Sequence, residues 1–307
     1  MGLRAAHDWR GRSQISAGPS SLSSPGDIMN AHELRLKSIA YRKTILEIIH
    51  RGGAGHTAGS LSCVDILNVL YNHIMNITPE NFNKINRDHY IQSKGHSVEA
   101  LYTVLADQGF YSRDELLEGL NQNYSKFIGH PTRKVPGIEH NTGALGHGLS
   151  VSVGLALAGK LNGYTYRVFT LLGDGELAEG SSWEASMSAA HYKLDNLVVI
   201  VDRNTLQITG RTEEVNGLEP LADKFTAFGY AVRQIDGNNV EALADLLGTV
   251  PFEVGKPSLL LANTVKGKGV SYMEDQKAWH HKVPTDEQLA TALAELDAAR
   301  LELEGIR

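Results

Sequence analysis

Two short segments in the middle of the chain place the strongest constraint on the fold. Residues 167–172 are almost entirely apolar and end at Gly173, and residues 197–201 are apolar throughout and end at Asp202, with a helical pattern over 181–192 between them. Strands that are apolar on both faces must be covered on both faces, and strands that alternate with helices form parallel sheets. The chain is therefore predicted to be an α/β protein, with a mostly parallel sheet flanked by helices on both faces.

The same alternation extends to both sides of this unit. Apolar residues at helical spacing predict helices, and short apolar runs predict strands. The other predicted helices are 32–50, 62–75, 98–108, 146–161, 240–247 and 286–304, and the other predicted strands are 90–91, 231–235 and 258–264. No internal repeat or low-complexity linker occurs within 30–307, so we expect a single domain over 29–307.

Residues 1–28 differ from the rest of the chain in composition. They are rich in Ser, Gly and Arg, and they lack the apolar stretch of a secretory signal. A disordered extension is the favoured interpretation, with Met29 as the natural beginning of the protein. An organelle-targeting segment is the alternative, because such segments are rich in Arg and Ser and poor in acidic residues.

Composition excludes several classes of protein. The formal net charge of -6 and the pI of about 6.1 argue against a nucleic-acid-binding protein, which would have a basic surface. Cys63 is the only cysteine, so neither an internal disulfide nor a cysteine-based zinc site is expected, and a reducing, cytoplasmic setting fits best. No apolar run approaches the ~20 residues that span a bilayer, so no membrane association is predicted.

Polar residues follow both of the central strands directly. Gly173-Asp174-Gly175 comes after the first strand, and Asn204 comes after the second. Ligands of parallel sheets bind at the carboxyl ends of the strands, and flanking glycines let the backbone approach a ligand closely. A lone Gly-Asp-Gly turn is common, but two oxygen-bearing side chains at adjacent strand ends favour a Mg²⁺ or Ca²⁺ ion that bridges a diphosphate.

The sequence around these residues resembles the thiamine-diphosphate motif of transketolases. It reads GDGELAEG over 173–180 and continues through 183–185 to 202–204. The resemblance extends from about residue 33 to about residue 290. Further motifs that follow the order of the family are at 55–61, 93–96, 129–131, 142–148, 266–269 and 279–280.

This resemblance implies a site for thiamine diphosphate and a divalent metal ion, Mg²⁺ or else Ca²⁺ or Mn²⁺. The metal ligands would be Asp174, Asn204 and the backbone carbonyl of Leu206. Gly143 and Leu145 would lie against the aminopyrimidine ring. The remaining residues implied to bind the cofactor are His96, Gly173, Gly175, Glu179 and His280.

The resemblance also implies a catalytic role for four of the 13 histidines. His56 and His280 would move protons around the carbonyl and the neighbouring hydroxyl of the sugar, which suits an unperturbed imidazole pKa near ~6.5. His96 and His130 would bind the terminal hydroxyls of the donor. Glu179 would also lie at a subunit interface, bonded to a catalytic carboxylate of the other chain. The cofactor would supply the carbon nucleophile, and the protein would position it.

Part of the transketolase site is expected to lie on another chain. In the family, the glutamate that activates the cofactor and the aromatic residue that stacks on its pyrimidine come from a second α/β domain, and only one helix is predicted here after Pro284. The resemblance therefore implies a split enzyme that moves a two-carbon ketol unit from a ketose phosphate to an aldose acceptor. Its partner chain would carry the pyrimidine-binding and C-terminal domains, in an α2β2 assembly.

Two alternatives remain beside this interpretation. The chain could be half of an enzyme similar to deoxyxylulose-phosphate synthase, although the 129–131 motif and the metal-ligand spacing favour transketolase. It could also be a non-catalytic relative that binds the cofactor, which loss of Asp174, Asn204 or several histidines would indicate; none is lost. The physiological sugars stay open between general pentose-phosphate metabolism and a specialised catabolic route.

Overall fold

The computed structural model describes residues 29–306, so the expected extension at 1–28 lies outside the described residues. At its centre is a sheet of five strands, all paired in parallel, in the order β1-β2-β3-β5-β4. The parallel sheet predicted from the sequence is confirmed. The strands are β1 His89–Gln92, β2 Val168–Gly173, β3 Leu197–Arg203, β4 Ala231–Asp236 and β5 Ser258–Asn263.

Helices cover both faces of the sheet, as predicted. One face carries α1, α2, α3, α9 and α10, and the other carries α5, α6 and α8. No helix within residues 29–306 has the length and apolarity that crossing a lipid bilayer requires. The helices are α1 Ala31–Gly52, α2 Thr57–Val69, α3 Val98–Asp107, α4 Arg113–Gly119, α5 His147–Asn162, α6 Gly180–His191, α7 Thr212–Val215, α8 Leu221–Phe228, α9 Val240–Leu247 and α10 Asp286–Leu303.

The central strand β3 shows why this sequence folds into three layers. Its side chains alternate between the two faces of the sheet. Val198 and Ile200 are buried in the core beneath α1, α2 and α3, whereas Leu197, Val199 and Val201 are buried beneath α5, α6 and α8. Because both sets are apolar, the strand is stable only when both layers of helices are in place.

The main departure from the predicted elements is at the start of α2. This helix begins at Thr57, five residues before the predicted start at Ser62, and ends with a π-helical turn over Leu70–Ile74. Every residue of α2 is buried. A helix that is buried all round does not show one apolar stripe, and its first turn, with Gly59 and Ser60, therefore gave no periodic signal. The helices α4, α7 and α8 were not predicted.

The register of the sheet brings the informative loops together. Gly173 at the end of β2 pairs with Asp202, and Arg203 at the end of β3 pairs with Asn263 of β5. Because the strands are parallel, the segments that follow them leave from one edge of the sheet. Asp174 and Asn204 are therefore neighbours at this edge, as the sequence predicted.

Candidate active site

A cavity of about 300 Å³ opens at the carboxyl edge of the sheet. Its walls come from the segments that follow β1, β2, β3 and β5, from the start of α2, and from the loops that contain His130 and Gly143. The predicted site residues that line it are His56, His96, His130, Gly143, Leu145, Gly173, Asp174, Gly175, Asn204, Leu206 and His280. Glu179 is not among the lining residues; it is exposed at the start of α6.

Asp174 is buried and held in a fixed orientation at the end of β2. One carboxylate oxygen accepts the backbone N–H of Gly175 at 2.8 Å. The other accepts the N–H of Thr205 at 2.6 Å and the Arg203 guanidinium at 3.1 Å. Burial and the charge of Asp202 raise the pKa of Asp174, while Arg203 lowers it. The protein thus keeps a buried acid at the place where the sequence predicts a metal ligand.

The other two predicted metal ligands lie together after β3. The side-chain oxygen of Asn204 accepts the N–H of Leu206 at 3.1 Å, and the carbonyl of Leu206 accepts the Lys266 ammonium at 2.7 Å. The carbonyl thus already faces a cation. Within residues 29–306 no cluster of three or more His, Cys, Asp or Glu side chains is arranged to hold a metal ion. A metal ion here would be bound by one carboxylate, by an amide oxygen and a backbone carbonyl oxygen, and by oxygens of a bound diphosphate. This all-oxygen set of donors suits Mg²⁺.

The four predicted catalytic histidines converge on one point. The His56 ring lies 5.4 Å from His96, 5.9 Å from His130 and 5.5 Å from His280, measured between ring centroids. His96 and His280 stack on each other at 5.3 Å. The buried Nδ1 atom of His56 has no hydrogen-bond partner among the described residues. A buried polar atom without a partner at the wall of a cavity fits a site that a ligand completes.

Burial makes these imidazoles weak bases in the ligand-free chain. It lowers the pKa of His56 to about 3, with further contributions from His281 and His130, and it lowers the pKa of His280 to about 3, with help from Lys266. The pKa values of His96 and His130 are lowered as well, mainly by burial. At neutral pH each ring is uncharged and therefore offers one N–H donor and one acceptor nitrogen.

The tautomer of His280 follows from its contact with Lys266. The Lys266 ammonium lies 2.9 Å from Nδ1 of His280. Burial lowers the pKa of Lys266 to about 8, so the amine is still mostly protonated at pH 7. An ammonium can only donate, so Nδ1 must accept and Nε2 must carry the ring proton. His280 is therefore oriented as a hydrogen-bond donor through Nε2.

The loop over residues 142–146 passes so close to its neighbours at Gly143 that a side chain there is excluded. Gly143 has a φ of +136°, and a Cβ atom there would lie 2.8 Å from Cδ2 of His130. A Cβ atom on Gly95 would lie 2.7 Å from the backbone nitrogen of Gly143. Both positions require glycine. The resulting bare backbone next to Leu145 fits the flat ring expected from the sequence.

Five residues that line the cavity were not assigned a role from the sequence. Three of them lie in the motifs at 93–96, 173–180 and 266–269, but the resemblance implies roles for other residues of these motifs. His281, which is exposed with its ring centroid 4.6 Å from that of His56, was also missed. The unassigned lining residues are Lys94, Glu176, Gln207, Ile208 and Lys266.

A larger cavity of about 690 Å³ lies elsewhere, between α1, α9 and α10. At its floor Arg42 is paired with Asp65 at 2.6 Å, and Asn238 also donates to Asp65. The buried charges of Arg42 and Asp65 thus satisfy one another. The smaller cavity is the better candidate for chemistry, because its histidines and strand-end oxygens are directed toward one space.

A fully parallel sheet with a buried acid, an amide and a carbonyl at adjacent strand ends is the arrangement of a cofactor-binding α/β domain. The family described as the thiamine diphosphate binding domain of transketolase matches residues 36–297. The chain belongs to the transketolase family and carries this domain.

Comparisons with known proteins agree with this assignment. The chain is 48% identical to one of the subunits of an apulose-4-phosphate transketolase from Phocaeicola vulgatus, over 87% of this chain and 95% of that protein. It is 41% identical to a 6-deoxy-6-sulfo-D-fructose transketolase subunit from Clostridium sp., over 86% of this chain and 96% of that protein. Among solved structures, the transketolase of Campylobacter jejuni matches with a TM-score of 0.82 and 29% identity, covering 91% of this chain. The chain spans about half of that transketolase, since 46% of it is covered.

Proposed function

We propose that this chain is one half of a two-chain, thiamine-diphosphate-dependent transketolase. The enzyme would transfer a two-carbon ketol unit from a ketose phosphate to an aldose acceptor, as a transferase. The convergence of four histidines on the cavity that holds Asp174, Asn204 and the Leu206 carbonyl carries this proposal. The family assignment supports this proposal, and the named relatives favour a transketolase over the synthase-like and non-catalytic alternatives.

The strand-end residues would hold the diphosphate and its metal ion. Asp174, the side-chain oxygen of Asn204 and the Leu206 carbonyl would be the protein ligands of Mg²⁺. Binding the metal requires Lys266 to share or give up the Leu206 carbonyl, and its ammonium is then available to an anionic phosphate oxygen. His96 and His280 would donate to the diphosphate, which the tautomer of His280 supports.

The opposite wall of the cavity would hold the cofactor's ring. Gly143 and Leu145 would lie against the aminopyrimidine, and Gly173 and Gly175 would let the backbone approach the diphosphate. The bound cofactor supplies the carbon nucleophile for ketol transfer. The protein's contribution is to hold the two ends of the cofactor and to position the sugar.

The histidines would handle the protons and hydroxyls of the sugar. His56 is uncharged, and its Nδ1 has no partner among residues 29–306, so this nitrogen is available for a hydrogen bond with a hydroxyl of the sugar. His280 would act beside it, and His96 and His130 would bind the hydroxyls of the donor. The low pKa values of His56 and His280 keep both rings uncharged in the ligand-free chain. An anionic diphosphate nearby would raise these values toward the range in which an imidazole can exchange a proton with the sugar.

The partner chain would supply the domain that activates the cofactor. The chain covers nearly the whole of two relatives named as transketolase subunits but only about half of a solved transketolase, which supports a division of the enzyme between two chains. We propose an α2β2 assembly in which exposed Glu179 meets the partner. The cytoplasmic location expected from the single cysteine stays a prediction.

The test is affinity purification of the tagged chain from its native cells, with mass spectrometry of the proteins that copurify. The material is assayed with xylulose 5-phosphate and ribose 5-phosphate, with and without thiamine diphosphate and Mg²⁺. We expect a partner of similar length and transfer that depends on the cofactor, and no transfer by the chain alone. Full activity without any partner would refute the two-chain proposal.

The donor sugar is tested in the same assay. Apulose 4-phosphate and 6-deoxy-6-sulfo-D-fructose are included as donors because two relatives carry these names. Preference for one of them would place the enzyme in a specialised catabolic route. Preference for xylulose 5-phosphate would place it in general pentose-phosphate metabolism.

A further inference from the structure

Glu176 is a buried carboxylate that binds three different segments of the cavity wall. Its Oε1 accepts the Ser93 hydroxyl and the N–H of Gly146, the latter at 2.8 Å, and its Oε2 accepts the N–H of Gly173 at 3.0 Å. The residue is 2% exposed. A carboxylate can accept all three hydrogen bonds, because both of its oxygens are acceptors. Nothing in the proposed chemistry uses this group directly.

The three segments belong to opposite ends of the cavity. Gly173 ends β2 and lies at the proposed diphosphate end, whereas Gly146 closes the loop over residues 142–146 at the proposed ring end. Gly173 is also held by the pairing of β2 with β3. The loop has no strand partner. Besides Glu176, three hydrogen bonds hold it: the Thr142 hydroxyl donates to the Gln92 carbonyl at 2.7 Å, the Thr142 N–H donates to the Pro131 carbonyl at 3.2 Å, and the Ser181 hydroxyl donates to the Gly146 carbonyl at 3.0 Å.

We propose that Glu176 is a positioning residue that fixes the loop over 142–146 to the end of β2, and so sets the spacing between the two ends of the cofactor. The identity of the cofactor in this inference rests on the proposed function, whereas the contacts of Glu176 do not. Among residues 29–306, this carboxylate alone accepts hydrogen bonds from both the Gly146 N–H and the Gly173 N–H. Losing it leaves Gly173 held by the pairing of β2 with β3. The loop then keeps only its hydrogen bonds at Thr142 and at the Gly146 carbonyl, so the ring end loosens more than the diphosphate end.

The test variant is Glu176→Gln, which keeps size and shape but accepts on one side only. Its NH₂ group must face either the Gly173 N–H or the Gly146 N–H, so the connection between them is broken in both orientations. The matched control is Glu184→Gln, the same change at an exposed position of α6. The full-length chain without ligand is compared by hydrogen exchange and mass spectrometry, and the affinities for thiamine diphosphate and for inorganic pyrophosphate, each with Mg²⁺, are measured by calorimetry.

We expect exchange in the loop over 142–146 to rise at least about tenfold in Glu176→Gln, with the β3 peptide unchanged. The affinity for thiamine diphosphate should fall at least about tenfold and that for pyrophosphate by less than about threefold, because hydrogen bonds to charged groups are worth a factor of this order. The control should match the wild type in all three measurements.

Three results would overturn the proposal. These are unchanged loop exchange, an equal loss of affinity for both ligands, and faster exchange with undiminished affinity for thiamine diphosphate. A wild-type chain that binds neither ligand, alone or with its partner, contradicts the proposed function instead, while the exchange comparison still decides whether Glu176 holds the loop. If Glu176→Gln does not fold, Glu176→Asp replaces it, since this variant keeps the charge but is too short to contact both segments; we expect the same pattern.

Discussion

Two glycines of α5 should respond in opposite ways to the same substitution. A Cβ atom on Gly148 would lie 2.3 Å from Cβ and 2.7 Å from Cα of Ser93, whereas a Cβ atom on Gly154 would have nothing within 4 Å. The overlap at Gly148 involves backbone, so rotation of a side chain cannot relieve it. Overpacking of this kind costs about 1–3 kcal/mol, and replacing a helical Gly by Ala gains up to about 1 kcal/mol.

We therefore expect Gly148→Ala to lower the free energy of unfolding by about 2 kcal/mol and Gly154→Ala to raise it by about 1 kcal/mol. Urea unfolding of the isolated chain, followed by circular dichroism, measures both. The methyl group added at position 148 would displace Ser93, and the segment after Ser93 leads to His96. Gly148→Ala should therefore also weaken binding of thiamine diphosphate, and Gly154→Ala should not. A Gly148→Ala chain as stable as the wild type would refute the reasoning, because it would show that α5 and the end of β1 are not in close contact.

The remaining predictions concern two charged residues of the site, Asp174 and Lys266, and the buried Glu99 of α3, which accepts the N–H of His56 at 3.1 Å. Asp174→Ala should weaken binding of thiamine diphosphate with Mg²⁺ by at least about 100-fold in calorimetry, because it removes the only carboxylate among the proposed metal ligands; retention of wild-type affinity would exclude Asp174 as a ligand. Lys266→Met should weaken binding of pyrophosphate about tenfold, because a buried cation that lines the cavity is lost; equal affinities would contradict this role. Burial raises the pKa of Glu99 to about 6 from 4.5, so the folded chain binds this proton more tightly than the unfolded chain does. The wild type should therefore lose about 2 kcal/mol of unfolding free energy relative to Glu99→Gln as the pH rises from 4 to 7.5, measured by urea unfolding at both pH values. A difference of the opposite sign would show that the fold stabilises the carboxylate.

The sheet and its binding edge could be predicted because their signals are local. A strand covered on both faces is apolar on both of them, and residues 197–201 of β3 show this directly in the sequence. A ligand edge of a parallel sheet lies after such strands, and Asp174 and Asn204 follow two of them. The prediction that the four histidines share one site depended instead on the resemblance, since their separation along the chain gives no indication that they meet.

What could not be predicted depends on contacts between distant segments. Glu176 follows a Gly-Asp-Gly turn and reads as an acidic residue at the start of a helix, but its partners Ser93 and Gly146 are contributed by other parts of the chain. The role of Lys266 depends on its distance from the Leu206 carbonyl, which no spacing along the sequence reveals. The start of α2 was misplaced because a helix buried all round shows no apolar stripe.

The order of the strands has a consequence for synthesis of the chain. β5 leaves the ribosome after the other four strands of this sheet but lies between β3 and β4. Until Asn263 has emerged, β4 has no neighbour in the sheet and β3 presents an unpaired edge, which is the kind of surface that pairs with other chains. A version of the chain that stops before Ser258 should therefore aggregate rather than fold as a smaller domain, because two strand edges stay unpaired without β5.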